Sequence, residues 1–124
     1  MTDPNAKHIL IVEDEKPMAK ALEIKLGRLG YAVTVVHNGL LALSALDTAQ
    51  YDLVMCDLIM PKMDGFQVLE EMRRRKIDVP VIVMTNLSQE EDKARALSLG
   101  ARDFIVKSNT PIATIMEVVG KALA

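Results

Sequence analysis

The feature that most constrains the fold of this chain is a regular alternation of short apolar runs with longer amphipathic segments. Runs rich in Val, Ile and Leu predict five β-strands, at residues 8–13, 31–37, 51–57, 79–85 and 102–107. Four of these runs are almost continuous in apolar residues, which is typical of strands covered on both faces in a parallel sheet. The pattern therefore predicts a sheet that lies between two layers of helices.

The segments between the strands carry helix signals. Gly30 and Gly100 follow amphipathic runs at the point where a helix C-cap is expected. "RRRK" at 73–76 places positive charge at the C-terminal end of the third helix, where the helix dipole favours it. Five helices are predicted, and the residues that mark their starts are Pro17, Asn38-Gly39, Asp64-Gly65, a Ser88/Glu91 capping box, and Thr110-Pro111.

Together the strands and helices give a fivefold (βα) repeat. This order predicts an α/β fold with a doubly wound parallel sheet, joined by right-handed crossovers. The length of 124 residues suits one domain, so residues 1–124 are expected to form a single domain.

Composition excludes several classes of function. The formal net charge of −2 gives no electrostatic basis for binding nucleic acid directly, which usually requires a basic face. The single cysteine excludes an internal disulfide framework or a thiolate zinc site, and it is typical of a reducing cytoplasm. No apolar run approaches the length that crosses a membrane, so we expect a cytoplasmic protein without a membrane segment.

Polar side chains stand at the ends of four of the five predicted strands. Glu13 and Asp14 follow the first strand, Asp57 ends the third, Thr85 ends the fourth and Lys107 ends the fifth. Ligands of open parallel sheets bind outside the carboxyl ends of the strands, so these groups are expected to share one rim. Carboxylates without imidazole or thiolate partners suit Mg²⁺, and a lysine can neutralise a phosphoryl group. The rim is therefore typical of a phosphoryl-transfer site, with an aspartate able to form an acyl phosphate.

Each residue also has a simpler explanation when it is taken alone. Asp57 could be a solvated strand end, and Thr85 an ordinary strand-end hydroxyl. Glu15 is interpreted as an acid favoured by the dipole of the first helix, and Asp64 as an N-cap. Only the convergence on one rim favours the functional interpretation of Asp57 and its neighbours.

Four motifs follow one another along the chain: "ILIVEDE" (9–15), "CDLIMPKMDG" (56–65), "VIVMTNLS" (81–88) and "ARDFIVK" (101–107). In this order they resemble the receiver domain of bacterial response regulators, a CheY-like family of two-component signalling proteins, and the resemblance covers the whole chain. It implies a flavodoxin-like sheet with strand order 2-1-3-4-5. It also implies site roles: Asp57 as phosphoacceptor; Glu13, Asp14, Asp57 and the backbone carbonyl of Ile59 as Mg²⁺ ligands; Lys107 and Thr85 as phosphoryl contacts; and Thr85 with Phe104 as the switch.

The resemblance further implies partners. A histidine kinase or a histidine phosphotransfer protein would donate the phosphoryl group, and a downstream protein would bind the surface of the fourth helix, fifth strand and fifth helix. The formation of a homodimer on phosphorylation is a further possible consequence of the resemblance. The protein would be a signalling module and not a metabolic enzyme, although it would assist its own phosphorylation and dephosphorylation.

Two alternatives and two departures from the family pattern remain. A Mg²⁺-dependent phosphohydrolase with an aspartate nucleophile is disfavoured, because such enzymes usually carry a D-x-D pattern after the first strand and need a cap. A receiver-like adaptor that works without phosphorylation stays open.

Ser108 follows Lys107 where the family usually has a cis proline, so a trans or a strained bond is expected there. Asn86 replaces a smaller residue after Thr85, which predicts narrower access to the phosphoryl group.

Overall fold

Five strands and five α-helices alternate along residues 3–124, which are the residues that the computed structural model describes. The strands are β1 (His8–Val12), β2 (Ala32–Val36), β3 (Leu53–Cys56), β4 (Val81–Thr85) and β5 (Asp103–Val106). The helices are α1 (Lys16–Arg28), α2 (Gly39–Thr48), α3 (Gly65–Arg74), α4 (Glu90–Ser98) and α5 (Ile112–Leu123), and a 3₁₀ turn (Lys107–Asn109) follows β5. Over this part of the chain, no helix combines the length and the apolar character that crossing a membrane requires.

The strands form one parallel sheet of order β2-β1-β3-β4-β5. This confirms the (βα)5 prediction and the strand order implied by the resemblance. Each strand is slightly shorter than the apolar run that predicted it, so that Asp57 and Lys107 lie just beyond the strands. Both side chains nevertheless stand at the carboxyl edge of the sheet, as a polar residue directly after a strand must.

Side-chain alternation along the strands divides the interior into two hydrophobic cores. Leu10 and Val12 of β1 point to the side of α2, α3 and α4, while Ile9 and Ile11 point to the side of α1 and α5. The first core is filled mainly by Val, Leu, Ala and Met together with Phe66, and the second mainly by Ile, Leu and Met. Cys56 belongs to the first core as a small buried side chain, as predicted, and burial raises the pKa of its thiol above the ordinary value.

Most of the predicted helix boundaries are confirmed. Asn38 caps α2 through its side chain, and Gly30 and Gly100 follow α1 and α4 with positive φ angles of 94° and 104°. Asp64 caps α3, and Gln67 returns the hydrogen bond to complete a capping box.

The predicted capping box of α4 is wrong. The helix begins at Glu90 with Gln89 as the N-cap residue, and no side chain caps it. Ser88 therefore lies one residue outside the cap, and Glu91 is one residue too early to close a box on Gln89. The first turn instead carries Glu90, Glu91 and Asp92, whose negative charges favour the N-terminal end of a helix.

Candidate functional site

The polar residues predicted to share a rim do converge at the carboxyl edge of the sheet. A small cavity of about 230 Å³ lies at this edge and is lined by Asp14, Glu15, Asp57, Ile59, Thr85 and Asn86, whereas Glu13 and Lys107 are not part of its lining. Among residues 3–124, the buried polar or charged residues are Glu13, Asp57 and Thr85, and all three lie at this edge. Burying such groups is costly unless they are paired or hydrogen-bonded, so their clustering at one edge indicates a functional site.

Asp57 is held in place by backbone contacts on both sides. Its amide donates to the carbonyl of Val12 at 3.0 Å, which ties it to β1. Its Oδ1 accepts from the amides of Leu58 (2.7 Å) and Ile59 (3.3 Å), and its Oδ2 accepts from Lys107 Nζ (3.0 Å). The two carboxylate oxygens therefore have different partners, and the carboxylate is fixed although it is almost fully buried.

The start of α3 packs directly against the backbone of Asp57. Gly65 donates its amide to the carbonyl of Leu58 at 2.9 Å. A Cβ atom added at Gly65 would lie 2.2 Å from the Asp57 carbonyl oxygen and 2.7 Å from the Leu58 Cα. Only glycine allows this approach, which explains why a glycine opens α3 directly beneath the site.

Lys107 joins the acidic groups of the site. Its ammonium contacts Glu13 Oε1 at 2.6 Å, Glu15 Oε1 at 2.9 Å and Asp57 Oδ2 at 3.0 Å. Burial alone would lower the pKa of Lys107, but these hydrogen bonds outweigh it and raise the pKa above its ordinary value. The lysine therefore stays charged. The peptide bonds of residues 3–124 are all trans, so Lys107 reaches the site through the 3₁₀ turn without the cis bond usual in the family.

Glu13, Asp14 and Asp57 bring one carboxylate oxygen each within 4.8 Å of one another. Burial and the nearby charge of Asp57 raise the pKa of Glu13 to about 7, against the lowering effect of Lys107. Clustered carboxylates of this kind repel one another and favour a hard cation, and oxygen-only donors fit Mg²⁺. His37 Nδ1 lies 2.8 Å from the Glu13 carbonyl oxygen, which can only accept, so His37 donates and fixes this turn. The acidic cluster therefore fits the predicted magnesium site.

Thr85 and Phe104 lie on the β4–β5 side of the site. Thr85 is fully buried, and its Oγ1 accepts from the Leu87 amide at 3.3 Å. Phe104 pairs with Val83 in the sheet and packs, half-buried, against the core beneath α2, α3 and α4. It is not among the residues that line the cavity. Asn86 is exposed and lines the cavity, and the narrower access to the phosphoryl group that it implies stays a prediction.

Glu15 is the contact that sequence reasoning missed. Its helix-dipole interpretation is incomplete, because the residue occupies the N-cap position of α1, makes no side-chain capping bond, and contacts Lys107 instead. The signal was present in the sequence. Glu15 follows β1 by only three positions and lies at the same rim as Glu13 and Asp14.

Comparisons with known proteins agree with this geometry. A family model described as "Response regulator receiver domain" matches residues 9–119. A probable transcriptional regulator, ycf27 of Cyanidium caldarium, is 41% identical over 84% of this chain but over only 41% of its own length. This chain spans less than half the length of the curated relatives it matches.

Solved structures give the same result. The receiver domain of Francisella response regulator 1452 is 29% identical with a TM-score of 0.89, covering 94% of this chain and 96% of that one. Response regulator TrrA of Thermotoga maritima, solved in complex with Mg²⁺-BeF, is 32% identical with a TM-score of 0.83, covering 94% of this chain and 99% of that one.

Proposed function

Because this chain belongs to the response regulator receiver domain family, we propose that it accepts a phosphoryl group on Asp57. The donor in this proposal is a histidine kinase or a histidine phosphotransfer protein. One observation carries the assignment: Asp57 is a nearly buried carboxylate that both contacts Lys107 at 3.0 Å and shares an acidic cluster with Glu13 and Asp14. Within residues 3–124, no other aspartate combines a lysine contact with such a cluster.

In the proposed step, an oxygen of the Asp57 carboxylate forms a bond to phosphorus. The bond from phosphorus to the donor breaks at the same time, and the donor nitrogen leaves with the electron pair. Lys107 neutralises the negative charge on the phosphoryl oxygens as a nearby point charge. The backbone amides of Leu58 and Ile59 hold the carboxylate while it reacts, so the site acts by positioning and charge neutralisation.

Glu13, Asp14 and Asp57, together with the backbone carbonyl of Ile59, would hold Mg²⁺. The ion would supply positive charge beside the transferring phosphoryl group. Three carboxylates whose oxygens already lie within 4.8 Å of one another support this part of the proposal, as does the raised pKa of Glu13.

The downstream effect is proposed to pass through Thr85 and Phe104. Thr85 ends β4 on the same face of the sheet as Val81 and Val83, and Phe104 lies on this face of β5. A Thr85 hydroxyl drawn toward the phosphoryl group would leave room for the Phe104 ring, which would change the surface of α4, β5 and α5 for a protein partner or a second copy. We further propose that residues 1–124 form one receiver domain and that it works in the cytoplasm, assisting its own phosphorylation and dephosphorylation.

The proposal is tested with acetyl phosphate and Mg²⁺, followed by intact-protein mass spectrometry. We expect the mass gain of one phosphoryl group in the native chain, loss of this gain in Asp57→Asn, and loss when Mg²⁺ is removed with EDTA. Asp64→Asn is the matched control, because asparagine caps a helix as well as aspartate does, and it should be labelled normally.

Two results would contradict the proposal. An Asp57→Asn protein that still gains the phosphoryl mass would place the modification elsewhere. A native protein that gains none would favour the adaptor that works without phosphorylation. Continuous release of inorganic phosphate from many phosphomonoesters would instead favour the phosphohydrolase.

A further inference from the structure

The three carboxylates that hold Lys107 differ sharply in their exposure to solvent. The side chain of Glu13 is 0% exposed and that of Asp57 is 5% exposed, whereas that of Glu15 is 57% exposed. All three contacts are short, at 2.6 to 3.0 Å. Two of the partners are therefore fixed in the interior, and the third faces water.

The lysine has no donor to spare in this arrangement. An ammonium group carries three N–H donors, and here each of them has one carboxylate acceptor. A phosphoryl oxygen can receive a good hydrogen bond from Lys107 only if one of the present acceptors gives way. If Lys107 left Glu13 or Asp57, a buried carboxylate would have only the proposed Mg²⁺ to compensate its charge, which is costly. Loss of Glu15 costs little, because water can replace the lysine at an exposed carboxylate.

The local structure leaves Glu15 free to move. It occupies the N-cap position of α1, but its side chain makes no capping hydrogen bond. Its backbone amide is anchored to Glu13 Oε2 at 3.3 Å, so the side chain can swing outward while the backbone stays in place.

We propose that Glu15 is a positioning residue that holds Lys107 in the unphosphorylated protein and releases it to the phosphoryl group. This inference rests on the proposed function, and it adds that Glu15 opposes phosphorylation by competing for the ammonium. Removing the Glu15 contact then leaves one donor of Lys107 ready for the phosphoryl oxygen.

The experiment measures the initial rate of Asp57 phosphorylation at a fixed, subsaturating concentration of acetyl phosphate in three variants. Glu15→Ala removes both the contact and the charge. Glu15→Asp keeps the charge, but its carboxylate is one methylene short of Lys107 and is drawn to the first-turn amides of α1. Glu23→Gln is the matched control, because Glu23 is a partly exposed acid of α1 that pairs with Lys20 and not with Lys107.

We expect Glu15→Ala and Glu15→Asp to raise the rate by about two- to fivefold, the range that a half-exposed ion pair supports, and Glu23→Gln to leave it unchanged. A Glu15→Ala protein that reacts at the native rate would overturn the proposal. The proposal would also be overturned if Glu15→Ala reacted faster while Glu15→Asp reacted at the native rate. The charge of residue 15 would then set the rate, by repelling the anionic phosphoryl donor, and the contact with Lys107 would not.

A second measurement does not depend on phosphorylation. In protein labelled with ¹⁵N-lysine and freed of Mg²⁺, the Lys107 ammonium protons should exchange with water faster in both Glu15 variants and at the native rate in Glu23→Gln. Unchanged exchange in the Glu15 variants would overturn the contact itself. If the native chain is not phosphorylated on Asp57 but the exchange result holds, the proposed function fails while the Glu15 contact stands.

Discussion

The helices that follow the two sides of the site differ in their capping and in how many residues they bury. On the β3–α3 side, Asp57 leads into a helix that has a complete capping box and buries five residues, Gly65, Phe66, Val68, Leu69 and Met72. On the β4–α4 side, Thr85 leads into a helix that has no side-chain cap and buries only Ala96. Two arginines join α4 to α3: Arg95 lies over the Phe66 ring at 4.1 Å, and Arg73 donates to the Ser98 carbonyl at 3.1 Å.

This difference in packing would allow one small domain to hold the proposed phosphoacceptor in place while the other side of the site changes conformation. Local opening is least costly where few apolar side chains are buried and most contacts face solvent. The carboxylate proposed to react therefore belongs to the strongly packed side, and the hydroxyl proposed to move belongs to the weakly packed side. The comparison predicts that substitutions at matched positions will cost more near Asp57 than near Thr85.

The largest effect is expected from Gly65→Ala. The new Cβ would lie 2.2 Å from the Asp57 carbonyl oxygen, so the start of α3 must shift away from β3. We expect the free energy of unfolding to fall by about 3 kcal/mol in a urea titration, and Asp57 phosphorylation to fall with it. Gly120→Ala is the control, because nothing lies within 4 Å of the added Cβ in α5 and the change should raise stability by up to about 1 kcal/mol. Equal stability of the two variants would contradict the tight packing assigned to Gly65.

The next effect compares the two N-caps directly. Asp64→Ala removes a cap whose carboxylate accepts from the Gln67 amide at 2.9 Å, and it should lower the free energy of unfolding by about 1 kcal/mol. Gln89→Ala removes a side chain that caps nothing and should change the free energy by less than about 0.5 kcal/mol. Similar losses in the two variants, measured by thermal unfolding, would remove the contrast between α3 and α4.

A smaller effect is expected from adding a cap to α4. Gln89 already has the extended backbone of an N-cap residue, with φ −74° and ψ 141°. Gln89→Ser should therefore raise the free energy of unfolding by about 0.7 kcal/mol, since serine can accept from a first-turn amide. Ser88→Ala should have no measurable effect, because Ser88 lies outside the cap. A fall in the free energy of unfolding on Ser88→Ala would indicate that Ser88 caps α4 after all, contrary to the structure.

The (βα)5 alternation and the rim could be predicted from features that are local along the chain, whereas the strand order came from the family resemblance. Each strand is a short apolar run, and a polar residue directly after such a run must lie at the carboxyl edge. The start of α4 was less certain from sequence, because Ser88, Gln89 and three successive acids offer competing starts within five residues. The sequence places Glu15 at the same rim as Glu13 and Asp14, but it does not show which of these acids Lys107 contacts, because that depends on how the lysine leaves its 3₁₀ turn.

The smallest effect concerns strain in the loop that joins Asp57 to α3. Lys62 has a φ of 69°, a left-handed conformation that costs a side chain about 1 kcal/mol. Lys62→Gly removes this strain but adds freedom to the unfolded chain, so the net gain in the free energy of unfolding should be about 0.5 kcal/mol. Lys93→Gly, at an exposed position inside α4, is the matched control and should instead lower the free energy of unfolding by about 1 kcal/mol. A fall in the free energy of unfolding on Lys62→Gly would mean that the lysine side chain stabilises the loop more than its backbone strains it. This surface residue would then also help to hold the loop after Asp57 in place.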